Sequence, residues 1–309
     1  MISLALGKKR GEKLDSEGRA LAKNRTLWGD ALRRLLKNRL AVIGFCWIVM
    51  MVIVALTGRM WVPVLFGEVV YPNSTLAAQM SRLAPSLAHP FGTDQLGRDV
   101  LGRIAYGAQV SLAIGLIATM ISTAIGVLLG ALAGYFGGLL DAVIMRITDI
   151  FMAVPYTLFT IALLSVLGPG FMNIFLAIGL LGWTSICRVV RAAIMQVKEN
   201  DYVSAARALG ASNMRIIMRH ILPNSIASVV VYSTMSIGTA ILSEAALSFL
   251  GLGIQPPEPS WGLMISEGQT WLSISPWLVF CPGFAILTTV LAFTLLGDGL
   301  RDALDVKGT

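Results

Sequence analysis

Charge is what this sequence has least of. Of its 309 residues, 13% are Asp, Glu, Lys or Arg, against 56% hydrophobic, whereas soluble domains carry about 25% charged residues. So few polar groups cannot cover a water-soluble fold of this length, and lipid is the natural solvent for the excess. Histidine and cysteine are also scarce. His89 and His220 stand alone, and Cys46, Cys187 and Cys281 form no CxxC pair. That excludes a clustered metal or redox motif and leaves the cysteines as small buried hydrophobes. No GxxxxGK[ST] stretch occurs, so the chain has no phosphate-binding loop with which to hydrolyse ATP. Short alternating strands, the mark of a membrane barrel, are missing too. The opening MISLALGKKRGEK puts its basic residues after the short apolar start. We therefore expect no cleavable signal peptide and assign insertion to the first long apolar segment.

Six apolar stretches are present: Leu40 to Thr57, Ile104 to Ala133, Ile150 to Leu167, Phe171 to Cys187, Ile226 to Leu250, and Trp277 to Gly297. Crossing the hydrocarbon takes about 20 residues in a helix, and only internally bonded backbone is tolerated there. The expected fold is an all-α membrane protein of six transmembrane helices. With the N-terminus inside, the inner segments hold 20 of the 24 Lys and Arg residues, and only Arg59, Arg82, Arg98 and Arg103 fall outside. Inner excess of basic residues puts both termini in the cytoplasm. The net charge of +7 is then an orientation signal and a contact for anionic headgroups of the bilayer; no nucleic-acid partner is expected. Trp28 to Arg39 reads as a basic amphipathic helix along the inner interface, with Leu32, Leu35 and Leu36 on one face. The polar residues before it are expected to be disordered. In the second stretch Gly115 joins Gly126, Gly130 and Gly134, the last three spaced four apart on one helix face. Close helix packing is the favoured role, ahead of a place in a pathway.

The most informative segment is too polar to span: DYVSAARALGASNMRIIMRHILP, Asp201 to Pro223. Tyr202 to Leu209 reads as a short helix with Ala205, Ala206 and Leu209 on one side. Gly210 interrupts it. Ser212 is placed to cap a second helix to Ile221, with Met214, Ile217, Met218 and Ile221 as its apolar stripe. Pro223 marks the start of the fifth span.

This helix, glycine turn and helix resemble the signature loop of type I ABC importer permeases. That family's pattern is Glu-Ala-Ala, three residues, Gly, nine residues, Ile, one residue, Leu-Pro. Ala205, Ala206, Gly210, Leu222 and Pro223 match it; Ser204 and His220 stand in place of the Glu and the Ile. Further resemblance begins at Phe91. FGTDQLGRDVLGRIAYGAQVSLAIG, GYFGGLLDAVIMRITDI, LSFLGLGIQPPEPSWGLMI and GDGLRDALD are similar, in that order, to the second permease of dipeptide, oligopeptide and nickel importers. The resemblance implies a type I ABC importer permease fold in a prokaryotic inner membrane. It implies a coupling loop at 201–223, with Ser204, Ala205, Ala206, Arg207, Gly210, Ala211, Ser212, Arg215, Leu222 and Pro223 docking on an ATPase. The implied partners are a homologous second permease, two cytoplasmic ATPase subunits and an extracytoplasmic binding protein. ATP and Mg would be held by the ATPases, with no cofactor in this chain. Peptides are the implied substrate class; nickel chelates, glutathione and other small solutes are carried by similar permeases.

The implied organisation is a cytoplasmic tail with its interfacial helix at 1–39, a first span and outer loop at 40–103, a five-helix core at 104–300, and a cytoplasmic tail at 301–309. Asp94, Arg98 and Asp99 are expected to tie the outer loop to the top of the second span, a structural role favoured over substrate contact. Trp261 is expected at the interface. Glu244 lies in an apolar span, where a carboxylate is costly without a partner or a cavity. It is the one substrate-pathway candidate, the alternatives being an interhelical hydrogen bond or a place near the outer surface.

Overall fold

The computed structural model describes residues 27–66 and 79–304, and the expectations for residues 1–26 and 305–309 lie outside them. The described residues are helical, with no strand beyond one isolated bridge between Thr93 and Asp99. The all-α expectation therefore holds.

Helix α1 spans Leu27–Lys37 and α2 spans Arg39–Phe66. Asn38 separates them, and its Oδ1 accepts from the N–H groups of Leu40 and Ala41 at 3.2 and 3.3 Å. This satisfies donors that the first helical turn leaves free. Ala31 is buried and Leu35 half-buried, while Leu32 and Leu36 face outward. The three leucines thus do not share one packed face. The Cα of Gly299 gives Leu35 its seat: a Cβ there would come within 3.2 Å of the Leu35 Cδ1.

The long helices are α3 (Val100–Phe136), α6 (Phe171–Lys198), the span Asn213–Phe249, and α11 (Trp277–Leu304). Each runs past the apolar stretch that announced it. Hydropathy sees only the segment that must be apolar on all sides; amphipathic turns at the ends continue the helix unseen. Between α3 and α6 lie α4 (Gly138–Ala153) and α5 (Tyr156–Leu167), bent by 83°. The expected continuous third span is therefore corrected to a broken one. Pro155 is the cause. It disfavours helical geometry at the residue before it, and Val154 sits at φ −96°, ψ 132°. The apolar run crosses this break without interruption, so composition alone hides it.

α3 is the central post, packing on α2, α6 and the span that follows the loop. Its glycines set the distance to α6. A Cβ on Gly126 would lie 2.7 Å from Ile186, on Gly130 2.6 Å from the Cys187 carbonyl and 2.9 Å from Val190, and on Gly134 2.9 Å from the Arg191 carbonyl. Three glycines spaced four apart thus receive Ile186, Val190 and Ile194, also spaced four apart. Packing of this kind holds helices together where burial from water gives no drive.

Opposite the loop, α3 begins in a buried charge cluster. Asp94 accepts from the Arg98 Nε at 2.6 Å and the Arg103 Nη1 at 2.7 Å; Glu267 accepts from both arginines, at 3.1 and 2.8 Å. Asp99 caps α3 by accepting from the Gly102 N–H at 2.8 Å and meets the His89 Nδ1 at 2.8 Å. The structural role expected for Asp94, Arg98 and Asp99 is met. Arg103 and Glu267 complete the cluster from positions the sequence did not single out. Trp261 opens α10 (Trp261–Gly268); expected at the interface, it is instead fully buried, and its Nε1 donates to the Ile104 carbonyl at 3.0 Å. Gly107 makes room for it: a Cβ there would stand 3.0 Å from the indole. Cys187 is buried as expected, whereas Cys46 faces outward from α2.

Candidate functional site

The segment 201–223 builds a folded lever at the end of the bundle where α3 and α6 stop. Helix α7 spans Asp201–Ala208. Leu209 ends it, and Gly210 takes φ +81°. The Gly210 N–H donates to the Arg207 carbonyl at 3.0 Å, and the Ala211 N–H reaches back to the Ala206 carbonyl at 3.1 Å. These two bonds are the Schellman closure of a helix C-terminus, with a left-handed residue between them. Ala206 and Ala211 both pack on the same apolar cluster, the contact that accompanies this closure. Nothing lies within 4 Å of a Cβ built on Gly210. Glycine is needed here for its backbone angle, and steric room is not the reason.

Helix α8, Asn213–Ile216, follows, then a π turn at Ile217–Ile221, and α9 (Leu222–Phe249) continues as the fifth span. One expectation changes and one holds. Ser212 occupies the N-cap position at φ −64°, ψ 152° but makes no side-chain capping bond. Pro223 stands in the first turn of α9, at the start of the fifth span as expected. A proline mid-helix would lose a hydrogen bond and clash with the preceding turn. The π turn directly before it widens the ladder. The same turn breaks the 3.6-residue period, so the drawn stripe divides. Ile217 and Ile221 are buried, while Met214 and Met218 are 68% and 58% exposed.

The lever has an inner and an outer face. Val203, Ile216, Ile217 and Ile221 pack with Val190 and Ile194 of α6 and Tyr135 of α3. The Tyr135 hydroxyl donates to the Asn213 Oδ1 at 2.7 Å, and Lys198 donates to the Tyr135 carbonyl at 2.7 Å. Outward lie Tyr202, Leu209, Met214 and Met218, with Leu209 89% exposed. Ser204, Ala205, Arg207, Ser212, Arg215 and Pro223 are exposed; Leu222 is half-buried. Among the described residues, Arg207, Arg215 and Arg219 enter no ion pair. An apolar cap rimmed by unpaired guanidinium groups suits a partner with an apolar cleft and acidic edges.

Glu244 is fully buried and receives the Ser111 hydroxyl at 2.9 Å and the Ser248 hydroxyl at 2.7 Å. Ser248 in turn accepts from the Ile254 N–H at 3.2 Å. This is the interhelical hydrogen-bond alternative. The neighbouring residue, Ser243, does line a cavity, of about 460 Å³, which opens at the break between α4 and α5. Its polar lining is hydroxyl: Thr119 and Ser122 from α3, Tyr156 from α5, Thr184 and Ser185 from α6, and Tyr232, Ser236, Thr239 and Ser243 from α9. Among the described residues, no Asp, Glu, Lys, Arg or His lines it. The sequence reading missed this cavity. Its available signal was Pro155 inside an apolar run, since interrupted hydrophobic segments mark midplane sites in transporters.

Comparison with known proteins places this architecture. Residues 126–307 match the family described as binding-protein-dependent transport system inner membrane component. The chain belongs to this family. Residues 26–85 match the N-terminal TM domain of oligopeptide transport permease C. The glutathione transport system permease protein GsiD of Shigella flexneri serotype 5b is 44% identical over 283 residues, 92% of this chain and 91% of the relative. The dipeptide transport system permease protein DppC of Alkalihalophilus pseudofirmus is 42% identical over 280 residues, 91% of this chain and 90% of the relative. Among solved structures, the inward-facing MetNI methionine ABC transporter has TM-score 0.55 at 18% identity, covering 65% of this chain and 96% of that one. An amino acid ABC transporter with histidines has TM-score 0.52 at 14% identity, covering 65% and 94%. The protein is an ABC importer permease subunit of the type I fold, multi-pass in the bacterial inner membrane, and not an enzyme.

Proposed function

We propose that this permease carries short peptides or peptide-like solutes such as glutathione, and that 201–223 is its coupling loop. The outer face of that loop carries the reading. Leu209, Met214 and three arginines without an ion pair among the described residues stand exposed on a turn whose inner face is clamped to α3 and α6. The loop faces the cytoplasm in this reading, as the basic residues require. A cytoplasmic ATPase subunit grips it there, and a second permease with its own loop and ATPase completes the core. A binding protein delivers substrate on the other side. Nucleotide-driven closure of the ATPases moves both loops and alternates access. Such a cycle needs docking contacts that differ between its two states, since only differential binding shifts an equilibrium.

The relatives named for glutathione and dipeptide transport support the substrate class. A stand-alone secondary transporter would need charged relay groups along the pathway, and among the described residues no Asp, Glu, Lys, Arg or His lines the cavity. The test is substrate-stimulated ATP hydrolysis and uptake in proteoliposomes holding the full complex, with radiolabelled dialanine and glutathione. ATP-dependent uptake of either, lost on omission of the ATPase subunits, is the expected result. Uptake that persists without them ends the reading, and so does labelling of a Ser212→Cys variant from outside the cell.

A further inference from the structure

Two helices that wall the cavity carry charge just beyond it, on the side where the lever packs. Phe151 and Met152 of α4 line the cavity, and so do Thr184 and Ser185 of α6. Asp149 and Arg188 stand about one turn further along these helices, and the Arg188 Nη2 donates to the Asp149 Oδ1 at 2.6 Å. Asp149 directly precedes the third apolar stretch and Arg188 directly follows the fourth, so the pair marks the threshold between the apolar interior and the lever. At about 100° per residue, Asp149 lies about 60° around α4 from Met152, and Arg188 about 40° around α6 from Thr184. Both charges therefore continue the faces that line the cavity. The exposed apolar residues of α4, Leu139, Val143, Ile147 and Ile150, fall on another strip, which suits lipid. Arg146 stands about 120° from Met152, at the border of that strip.

The pair is also loosely held. Asp141 and Arg191, which likewise join α4 to α6, share two hydrogen bonds, at 2.5 and 2.6 Å. Asp149 and Arg188 share one, and their side chains are 52% and 46% exposed. A pair so open adds little to stability, and stapling the helices falls to Asp141 and Arg191. One carboxylate oxygen of Asp149 and most of the Arg188 donors are left for another partner.

Resting on the peptide-class reading above, we infer that Asp149 and Arg188 form an exit site for solutes with free amino and carboxyl ends. The cavity offers no charge among the described residues; the pair supplies one of each sign at its lever-side end. The ammonium of the solute takes Asp149 and its carboxylate takes Arg188. The pair thus opens with every charge still matched, and the cost of stranding an ion is avoided. A carboxylate can meet a guanidinium through two parallel bonds, one more than the pair itself uses. Reclosure of the pair then returns the solute to water. A solute that lacks either charged end leaves one member of the pair unmatched, which is how the site discriminates.

The test uses the assembled transporter in detergent, without binding protein, and three photoprobes: alanyl-photoleucine, its C-terminal amide and its N-acetyl form. After irradiation, mass spectrometry counts adducts in the segments holding Asp149 and Arg188. The free dipeptide is expected to label them about tenfold more than either blocked probe, the worth of one bond to a charged group. Arg188→Gln is expected to erase the preference over the amide and keep that over the N-acetyl form; Asp149→Asn does the reverse. Arg188→Lys and Asp149→Glu, which retain the charges, are expected to keep both preferences. So is Arg146→Gln, and so is Asp141→Asn, which loosens the staple and lowers thermal stability. Equal labelling by the three probes, labelling confined to other segments, or none at all overturns the exit site. Preferences that survive Arg188→Gln and Asp149→Asn, or that vanish as fully in Asp141→Asn, overturn the assignment to this pair. Uptake by the complete system separates the two readings: failure of dialanine and glutathione to move counts against the peptide class, while the two preferences at Asp149 and Arg188 still uphold the site.

Discussion

The backbone N–H of Ala211 donates to the carbonyl of Ala206 across Gly210, at 3.1 Å. This one bond folds the lever back on itself and presents Leu209 at its tip. It exists because Gly210 holds φ +81°, a conformation that costs other residues about 1–2 kcal/mol. Gly210→Ala is expected to weaken ATPase stimulation several-fold, and Gly210→Val to abolish uptake, with both variants still inserted in the membrane. Reconstituted ATPase and uptake assays, normalised to protein in the membrane, check this. Full activity in the valine variant would show that the turn is not needed.

In the proposed reading, partner docking depends on the exposed side of the lever. Leu209→Asp and the pair Arg207→Glu with Arg215→Glu are expected to reduce recovery of ATPase subunits on affinity purification of this chain. Thermal stability of the chain should be unchanged, because these side chains touch solvent. Val203→Asp is the contrasting case. Its side chain is fully buried, so the variant should lose stability and ATPase recovery together.

The glycine seam makes a packing prediction. Gly130→Ala would drive a Cβ to 2.6 Å from the Cys187 carbonyl, and overpacking of this sort costs about 1–3 kcal/mol. Gly283→Ala, in α11, meets nothing within 4 Å and should leave stability unchanged or slightly raised by better helix propensity. Thermal unfolding of the two variants in detergent measures the difference.

Removing charge from the buried cluster should be costly. Asp94→Asn leaves Arg98 and Arg103 with Glu267 as their one carboxylate among the described residues. Breaking a buried pair from one side costs about 3–5 kcal/mol. Adding Arg103→Gln to Asp94→Asn should recover part of that loss. A double-mutant cycle on thermal stability reads the coupling, and simple additivity would show that the two groups act independently.

Glu244→Gln keeps two polar atoms for the Ser111 and Ser248 hydroxyls and is expected to retain uptake. Glu244→Leu strands both hydroxyls and should lower stability. Loss of transport in the glutamine variant at normal membrane levels would return Glu244 to the pathway.

Spans and lever were legible in the sequence for different reasons. Apolar length announces a helix wherever lipid surrounds it, so all six stretches found helices. The lever was legible because Gly210 interrupts a short helix, and glycine is the residue a Schellman closure favours at that position. Its second half was not, because the stripe from Met214 to Ile221 assumed a 3.6-residue period that the π turn before Pro223 interrupts. The break at Pro155 stayed hidden for the opposite reason: both arms are apolar, and hydropathy carries no information about direction. Glu244 drew attention as a lone charge; Ser248 stands one helical turn further on, but Ser111 belongs to α3 and only folding brings it alongside. The cavity hydroxyls raised no signal, since single serines and threonines are common in membrane helices.

The α3–α6 seam joins two places that have so far been treated apart. The lever rests on Val190 and Ile194, two and three turns along α6 from Thr184 and Ser185 in the cavity wall, and the glycines of α3 leave no slack between the two helices. Any displacement of the lever is therefore shared by both helices as one stiff double rod. Ile194 and Thr184 lie ten residues apart on that rod, with no break in α6 between them.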